Sequence, residues 1–247
     1  MNSWFEEHFQ EDYLRVYDHR DEGKAANELR EIMEYVPLEK GMKVIDLCCG
    51  NGRHARWLAR KGFYVTGIDL SSALLKQAIE LTEGIPVQYQ RGDIRNIPLL
   101  QEYDGAFNLF TSFGYFTDDA ENELVFTKAC EALKENGWFV FDYLNPTYVK
   151  NTLVPEDNIE KDGLLIKQQR EVNSGYVFKK ITIREGDSQR EYMERVKLYD
   201  QQQLIEMLER NHFTLKFVFG DYDCSSYDTN RSPRQIFICQ KKENGKS

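Results

Sequence analysis

The chain has 247 residues, with 32 Lys and Arg against 41 Asp and Glu, and a formal net charge of −9 at pH 7. Hydrophobic residues make up 41% and aromatic residues 13% of the chain, which provides a sizeable core and excludes a disordered protein. The acidic charge balance disfavours nucleic acid as a partner, because phosphate binding requires clustered Lys and Arg.

Residues 1–40 are predicted to form an N-terminal helical cap. Apolar residues recur at helical spacing between Tyr13 and Tyr35, and Pro37 and Gly41 mark the end of the segment. After Gly41 the pattern changes to short β-rich segments, so we expect the cap to precede the main fold.

Residues 41–149 alternate between β-rich and helical segments. The predicted strands are 43–47, 64–68, 87–91, 103–110 and 137–143, and the predicted helices are 53–61, 71–81 and 119–134. This alternation is typical of right-handed βαβ crossovers, and it predicts an α/β fold with a doubly wound, mostly parallel sheet. Ligands bind such a sheet at the carboxyl ends of its strands.

Residues 150–198 interrupt the alternation. They are predicted to form a small antiparallel β insertion, because three strand-like segments are separated by turns. The three segments are 164–172, 176–184 and 190–198.

Residues 199–241 return to the earlier pattern, with a predicted helix at 204–210. Two strands, 214–220 and 233–241, follow without an intervening helix, so we expect them to pair as an antiparallel hairpin. We assign these residues and residues 41–149 to one α/β domain.

A glycine-containing motif connects the first predicted strand to the first predicted helix. The segment Val44-Ile-Asp-Leu-Cys-Cys-Gly-Asn-Gly-Arg-His-Ala55 contains G-x-G-x-x-A, whose glycines allow a ligand to approach the backbone closely. Free N–H groups at the start of the helix can bind an anionic group of the ligand. Asp69 ends the next strand, where a carboxylate can accept hydrogen bonds from ribose hydroxyls. The combination predicts a nucleoside-binding site.

Asp46 helps to decide between two kinds of nucleoside. A dinucleotide would place its pyrophosphate beside the Asp46 carboxylate, and like charges repel. S-adenosylmethionine instead carries an ammonium group that Asp46 can bind, and a carboxylate that can contact Arg53 or loop amides. Asp93 follows the third predicted strand and can reach the adenine amino group.

These segments, together with Gly67-Ile-Asp-Leu-Ser71 and Gly92-Asp-Ile94, resemble the class I S-adenosylmethionine-dependent methyltransferases. The resemblance rests on motifs over about residues 40–145 and on pattern alone over 200–240. It implies a Rossmann-like seven-stranded sheet, S-adenosyl-L-methionine as the cofactor, and in-line methyl transfer to a small-molecule acceptor. The family's usual loop is acid-x-Gly-x-Gly-x-Gly, and this chain has Cys48 in place of the first glycine.

The resemblance implies a set of cofactor-binding residues, with Asp46 and the glycines at the methionine end and Asp69 at the ribose. Leu70 is expected to pack on the adenine, and Phe110 is expected near the sulfonium. The full set is Tyr17, Asp46, Cys48, Gly50, Gly52, Arg53, Asp69, Leu70, Asp93, Ile94 and Phe110.

An aromatic segment, residues 110–116, follows the fourth predicted strand and is expected to line the acceptor pocket. The candidate substrate contacts are Phe113, Tyr115 and Tyr143. No catalytic residue is identified, and we expect no metal site, because the four histidines show no metal-binding spacing. The Asn-Pro-Pro-Tyr sequence of the enzymes that methylate nucleic-acid bases is absent, which favours a small acceptor.

Three alternatives stay open: an NAD(P)-dependent oxidoreductase, a non-catalytic S-adenosylmethionine-binding regulatory module, and a methyltransferase acting on RNA or protein. We expect a cytoplasmic protein without a membrane or nucleic-acid partner. The N-terminus lacks the apolar stretch of a signal peptide, no run of about 18 apolar residues occurs, and five cysteines without a CxxC pair suggest reduced thiols. The insertion is expected to act as a lid, a substrate-binding element or a homodimer interface.

Overall fold

The structure is a computed structural model in which residues 11–16 and 22–243 are described. Within these ranges the helices are α1 (Glu11–Val16), α2 (Glu22–Leu29), α3 (Arg53–Arg60), α4 (Ser72–Leu81), α5 (Asp119–Ala132), α6 (Pro146–Thr152) and α7 (Gln201–Arg210), with a 3-10 helix at Ile32–Tyr35. The strands are β1 (Lys43–Leu47), β2 (Tyr64–Asp69), β3 (Val87–Arg91), β4 (Tyr103–Asn108), β5 (Leu133–Leu144), β6 (Glu156–Lys161), β7 (Leu164–Asn173), β8 (Tyr176–Glu185), β9 (Ser188–Lys197), β10 (Phe213–Phe219) and β11 (Arg234–Lys241).

Seven strands form the main sheet in the order β10-β11-β5-β4-β1-β2-β3. Strands β1 to β5 are paired in parallel, whereas β11 is antiparallel to both β5 and β10. The predicted doubly wound, mostly parallel α/β fold with a C-terminal antiparallel hairpin is therefore confirmed. Because β1 to β5 run in the same direction, their carboxyl ends meet at one edge of the sheet, where such folds bind ligands.

Each face of this sheet is covered by a hydrophobic core. On β5, Phe139 and Phe141 face α5, where Phe126 packs against Phe141 with ring centroids 4.8 Å apart. Val140 points to the other face and packs in a second cluster that includes Leu58 of α3. Alternate side chains of the strand are thus buried on opposite faces, as expected for a sheet with helices on both sides.

Capping residues set the starts of two helices. Ser71 accepts a hydrogen bond from the Leu74 N–H at 3.1 Å and begins α4 as predicted. Asp200 forms a capping box with Gln203, so α7 begins three residues before the predicted start at Leu204.

The inserted sheet has four antiparallel strands in the order β6-β7-β8-β9, one more than the three that the sequence predicts. The unpredicted strand β6 has the sequence Glu-Asp-Asn-Ile-Glu-Lys, which contains a single β-branched residue and so has a low strand propensity. Pairing with β7 stabilises it as a strand. The helix α6 was also not predicted. Its N-cap is Asn145, whose side chain accepts the Thr147 N–H, and Pro146 is its first residue.

The described part of the N-terminal segment is helical, as predicted. Leu29 of α2 packs in the same cluster as Leu58 of α3, and Val16 of α1 packs against Ile166 and Ile183 of the inserted sheet. Across the described ranges, no helix combines the length and the apolar character needed to cross a membrane.

Candidate active site

A cavity of about 790 Å³ opens at the carboxyl edge of the main sheet. One end is formed by the loops that follow β1, β2 and β3, and the other by the loop after β4, the helix α6, and residues of β9 and β11. Of the predicted site residues, the cavity wall contains Cys48, Gly50, Arg53, Asp69, Leu70, Asp93, Ile94, Phe110 and Tyr115. The structure thus brings together most of the predicted cofactor set.

The loop after β1 contains a turn with three positive φ angles, which we call the glycine turn (residues 48–52). Gly50 has φ +57° and Gly52 has φ +74°, and Cys48 adopts the same left-handed region with φ +62°. Cys48 therefore takes the backbone conformation that the usual glycine would take. A Cβ on Gly50 would meet no atom closer than 4.0 Å, so the backbone here borders open space that a ligand can enter.

Gly52 has a different reason to be glycine. A Cβ at this position would lie 2.1 Å from the Tyr89 hydroxyl oxygen, and Gly52 is not part of the cavity wall. The residue is thus required by packing against Tyr89, and the expected contact with the cofactor is not seen in the cavity lining.

Asp46 lies behind the glycine turn and is only 2% exposed. Its Oδ2 atom is buried without a hydrogen-bond partner, while the carboxylate accepts the Ala55 N–H. Burial raises the pKa of Asp46 to about 7, although the nearby Arg53 acts in the opposite direction. The cavity wall does not include Asp46, so its unpartnered carboxylate oxygen lies behind that wall, from where its charge can attract a cationic group.

Asp69 is held by backbone N–H groups. Oδ2 accepts the Gly50 N–H and Oδ1 accepts the Ser71 N–H, both at 2.8 Å. Burial raises the pKa of Asp69, and these hydrogen bonds counteract part of that effect. Because each carboxylate oxygen has a second lone pair, Asp69 can still accept hydrogen bonds from a ligand.

Asp93 is oriented by a residue that the sequence did not identify. Arg95 donates to its Oδ2 from Nη2 at 2.6 Å, and Arg95 also lies over the Phe116 ring, 4.3 Å from the centroid. Burial opposes ionisation of Asp93, but the hydrogen bonds from Arg95 lower its pKa below the ordinary value. Asp93 and Ile94 form the cavity wall beside Asp69.

The loop after β4 begins with a second left-handed turn, which we call the Phe110 turn (Phe110 and Thr111). Phe110 has φ +60° and Thr111 has φ +62°, a conformation that costs about 1–3 kcal/mol for each non-glycine residue. The Phe110 N–H donates to Oδ2 of Asp142 at 2.8 Å. The guanidinium carbons of Arg53 and Arg234 lie 4.8 Å and 5.6 Å from the Phe110 ring centroid.

The helix α2 contributes a buried charge to this region. Oε2 of Glu28 lies 2.7 Å from Nη1 of Arg53 and 2.6 Å from Nε2 of His54. Burial lowers the pKa of His54, and the positive charge of Arg53 lowers it further, so the neutral form of His54 is favoured. Arg53 is therefore fixed at the start of α3 by a residue from the N-terminal segment. Tyr17 lies outside the described residues.

Two of the three candidate substrate contacts are corrected by the structure. Phe113 is 1% exposed and stacks on Phe126 with ring centroids 4.8 Å apart, and Tyr143 is fully buried. Tyr143 shares the core-facing side of β5 with Phe141 because alternate residues of a strand point to the same face. Tyr115 lies on the cavity wall, where its hydroxyl donates to the Thr111 carbonyl oxygen at 3.0 Å.

Several wall residues were missed by the sequence reasoning. Those at the end of the cavity away from the glycine turn are Leu144, Val149, Glu194, Val196 and Arg234. Glu194 and Val196 are two residues apart on β9, so they point to one face of the inserted sheet. The alternating pattern of β9 could have predicted that these two residues share a face, whereas no sequence signal indicated that Arg234 lies on the cavity wall.

Comparison with known proteins gives a consistent result. Residues 38–212 match a family model described as a methyltransferase domain. A ubiquinone biosynthesis O-methyltransferase of Chromobacterium violaceum is 37% identical over 108 residues, which are 42% of this chain and 45% of that protein. A dTDP-3-amino-3,6-dideoxy-alpha-D-glucopyranose N,N-dimethyltransferase of Streptomyces fradiae is 26% identical over 145 residues, 54% of this chain and 56% of that one. The chain spans about half the length of the curated relatives that it matches.

The fold has a solved counterpart over nearly its whole length. The crystal structure of a S-adenosylmethionine-dependent methyltransferase from Clostridium acetobutylicum matches with a TM-score of 0.80 and 20% identity, covering 94% of this chain and 98% of that one. At this identity the likeness concerns the fold.

Proposed function

Since the chain belongs to the methyltransferase domain family, we propose that it transfers a methyl group from S-adenosylmethionine to a small-molecule acceptor. The observation that carries the proposal is a set of three carboxylates at neighbouring strand ends, Asp46 on β1, Asp69 on β2 and Asp93 after β3. The family match confirms the predicted methyltransferase family, and it lends no support to a nicotinamide-dependent oxidoreductase.

The residues around the cavity fit this cofactor. Open space in front of Gly50 supports close approach of the methionine moiety, and the unpartnered Oδ2 of Asp46 supports an ammonium group nearby. Asp69 has lone pairs left for the ribose hydroxyls. We assign Asp93 to the adenine amino group and Arg53 to the methionine carboxylate, with Cys48, Leu70 and Ile94 as apolar walls.

The mechanism that follows is one of alignment. The bound sulfonium supplies a methyl group that is already activated, so the protein has to hold donor and acceptor in line and exclude water. Phe110 follows β4, which lies between β1 and β5 in the sheet, and its ring lies within 6 Å of both Arg53 and Arg234, which supports a role in that alignment. A general base is required only for an acceptor that arrives protonated, and no residue is assigned to that role.

The second end of the cavity is the proposed acceptor site. Leu144, Val149 and Val196 make it partly apolar, and Glu194 adds a carboxylate from the inserted sheet. The charge of Arg234 is balanced by Asp142 at 2.8 Å. This balance favours a neutral or cationic acceptor over an anionic one, and the names of the relatives include both N- and O-methyltransferases.

Ligand titration tests the proposal directly. Calorimetry with S-adenosylhomocysteine and, separately, with NADH is expected to show binding of the first only. Release of S-adenosylhomocysteine from S-adenosylmethionine is then followed with amines, phenols and carboxylates, and turnover is expected with an amine or a phenol. NADH binding without S-adenosylhomocysteine binding would overturn the proposal. Binding without turnover on any acceptor would point to a regulatory module.

We further propose a cytoplasmic protein with no nucleic-acid partner. All five cysteines, each within the described residues, carry free thiols, which supports a reducing compartment. We retain the division into an N-terminal cap (1–40), an α/β domain (41–149 and 199–241) and an insertion (150–198), with the insertion as a candidate homodimer interface. Light scattering on the purified protein and on a protein with charge substitutions in the insertion tests the last point.

A further inference from the structure

The Phe110 turn is strained, yet it lies on the cavity wall between the two ends of the proposed site. Two successive non-glycine residues have left-handed φ angles there. Such a conformation persists only where surrounding contacts determine it, and it is found most often at functional sites. Specific contacts must therefore hold Phe110 and Thr111 in this conformation.

Every polar atom of Thr111 has a hydrogen-bond partner. Its N–H donates to the Asp142 carbonyl oxygen at 3.2 Å, and its Oγ1 accepts from Nη2 of Arg234 at 2.7 Å. Its carbonyl oxygen accepts from the Tyr115 hydroxyl at 3.0 Å. The backbone and side chain of Thr111 are thus fixed on three sides.

The centre of these contacts is Asp142, which is fully buried at the carboxyl end of β5. Its Oδ2 accepts from the Phe110 N–H at 2.8 Å and from the Tyr222 hydroxyl at 2.7 Å. Its Oδ1 accepts from Nε of Arg234 at 2.8 Å. One side chain thereby holds the turn directly, through Phe110, and indirectly, through the Arg234 bond to Thr111.

The Phe110 turn also places the Phe110 ring among cationic side chains. Arg53, held by Glu28, and Arg234, held by Asp142, both lie within 6 Å of the ring centroid. The ring therefore lies close both to the guanidinium assigned to the cofactor and to the guanidinium at the acceptor end. A change in the turn would move this ring and Arg234 relative to the reacting groups, while Glu28 keeps Arg53 in place.

We propose that Asp142 is a positioning residue for methyl transfer, which holds the Phe110 turn in its left-handed conformation and so fixes the boundary between cofactor and acceptor. The assignment rests on the proposed function. Asp142 makes no contact with the cavity itself, because it is not part of the wall, and it acts through Phe110 and Arg234.

The test is a double-mutant cycle of Asp142→Asn and Thr111→Gly. Asparagine removes the carboxylate that pairs with Arg234 and presents an N–H group toward other donors, so the turn loses its support. Glycine adopts the left-handed conformation without steric cost and is expected to restore part of what asparagine removes. We expect Asp142→Asn to lower kcat by about 100-fold, since a misplacement of about 1 Å has effects of that size. Adding Thr111→Gly to Asp142→Asn should raise kcat again by about tenfold.

Two further measurements separate positioning from general destabilisation. The affinity for S-adenosylhomocysteine, measured by calorimetry, should change by less than about threefold in Asp142→Asn, because the cofactor anchors lie on the other strands. A matched control is Asp104→Asn. Asp104 accepts the Lys43 N–H at 2.9 Å at the opposite end of the sheet, so this variant should lose stability in urea but keep its kcat.

The outcomes are distinct. The proposal is supported if Thr111→Gly raises kcat and the free energy of unfolding in the Asp142→Asn background by more than it does in the wild type. Additive effects of the two substitutions, or an equal loss of kcat in Asp104→Asn, overturn it. Absence of S-adenosylhomocysteine binding and of methyl transfer in the wild type would overturn the proposed function and the positioning role with it. The unfolding measurements would still show whether Asp142 holds the turn.

Discussion

The glycine turn after β1 and the Phe110 turn after β4 are built with the same device. In each, a carboxylate at the carboxyl end of a neighbouring strand accepts an N–H from a left-handed residue. Asp69 of β2 accepts the Gly50 N–H, and Asp142 of β5 accepts the Phe110 N–H, both at 2.8 Å. The two turns differ in how their conformation is obtained, because one uses glycine and the other uses two residues for which it is strained.

The carboxylates of Asp69 and Asp142 differ in the groups that donate hydrogen bonds to them. The hydrogen bonds to Asp69 come from backbone N–H groups, whereas Asp142 also accepts from the side chains of Arg234 and Tyr222. Asp69 therefore lies on the cavity wall with capacity for a ligand, and Asp142 lies behind the wall with its capacity used inside the protein. This contrast supports the proposal that the glycine turn binds the cofactor and that the Phe110 turn positions the reacting groups.

The largest effect is expected from Asp69→Asn, which tests whether the glycine turn binds. Asparagine cannot accept from both the Gly50 and Ser71 N–H groups with two oxygens, and it loses the charge that attracts ribose hydroxyls. We expect the affinity for S-adenosylhomocysteine to fall by about 100-fold, from the loss of hydrogen bonds to a charged group. Calorimetry on the wild type and on Asp69→Asn measures this change in affinity.

Asp104→Asn again supplies the control, because it makes the same chemical change at the amino end of β4. Its affinity for S-adenosylhomocysteine should equal that of the wild type. A comparable loss of affinity in both variants would mean that the sheet as a whole had been disturbed, and the distinction between the two turns would fail.

A second prediction concerns the reason for glycine at Gly52. Gly52→Ala introduces a Cβ 2.1 Å from the Tyr89 hydroxyl oxygen and keeps φ +74°. Gly84 has φ +77° and open space around it, so Gly84→Ala measures the backbone cost alone. We expect Gly52→Ala to lower the free energy of unfolding by about 2 kcal/mol more than Gly84→Ala does, as overpacking typically costs. Equal losses in urea denaturation would show that packing against Tyr89 is not the constraint.

A third prediction uses pH to examine Asp46 behind the glycine turn. Its folded pKa of about 7 lies above the ordinary value near 3.9, so the folded state binds its proton more tightly than the unfolded state. The contribution of Asp46 to stability is therefore greatest at low pH and decreases as the pH rises from about 4 to 7. Asp46→Asn should abolish this part of the pH dependence.

Cofactor binding should respond in the opposite sense. The ammonium group of S-adenosylhomocysteine favours the ionised form of Asp46, so the affinity should rise by about tenfold between pH 6 and pH 8. Binding near pH 7 should release a proton, which calorimetry in buffers of different ionisation enthalpy detects. The rise should be lost in Asp46→Asn. A wild-type affinity that does not change with pH would remove Asp46 from the ammonium site.

The same contrast explains which features could be predicted from sequence. The glycine turn was found because local residues determine it: glycines in a strand–turn–helix context, followed by Asp69 on the next strand. The Phe110 turn depends on partners 32 and 123 positions away, Asp142 and Arg234, and no local residue marks it. From the aromatic segment, Phe110, Tyr115 and Phe116 lie on the cavity wall, and its role toward an acceptor stays a prediction.

The sequence also could not tell which aromatic residue faces the cavity. Phe113 and Tyr143 were expected there, and both are buried in the core. Phe113 lies in the loop after β4, where no periodicity predicts the direction of a side chain, and Tyr143 lies on the core-facing side of β5. The strand β6 and the helix α6 were missed because their residues are weak formers that acquire order from pairing with β7 and from the Asn145 cap.

The smallest effect is expected from glycine substitutions at Cys48 and Cys49 in the glycine turn. The two substitutions should change the free energy of unfolding in opposite directions. Cys48 has φ +62°, so Cys48→Gly removes a steric cost, and we expect the free energy of unfolding to rise by less than about 1 kcal/mol. Cys49 does not have a positive φ and is 6% exposed. Cys49→Gly therefore loses buried side-chain contacts and adds entropy to the unfolded chain, and it should be destabilising by about 1–2 kcal/mol.

The pair is informative because both substitutions replace a cysteine by glycine in the same loop. Opposite signs in urea denaturation would show that the backbone at Cys48 still has the preference of a glycine position, as the neighbouring Gly50 and Gly52 do. Destabilisation by Cys48→Gly equal to that by Cys49→Gly would mean that side-chain packing outweighs the backbone conformation. The glycine turn would then resemble the Phe110 turn, with contacts from elsewhere in the protein holding a strained residue in place.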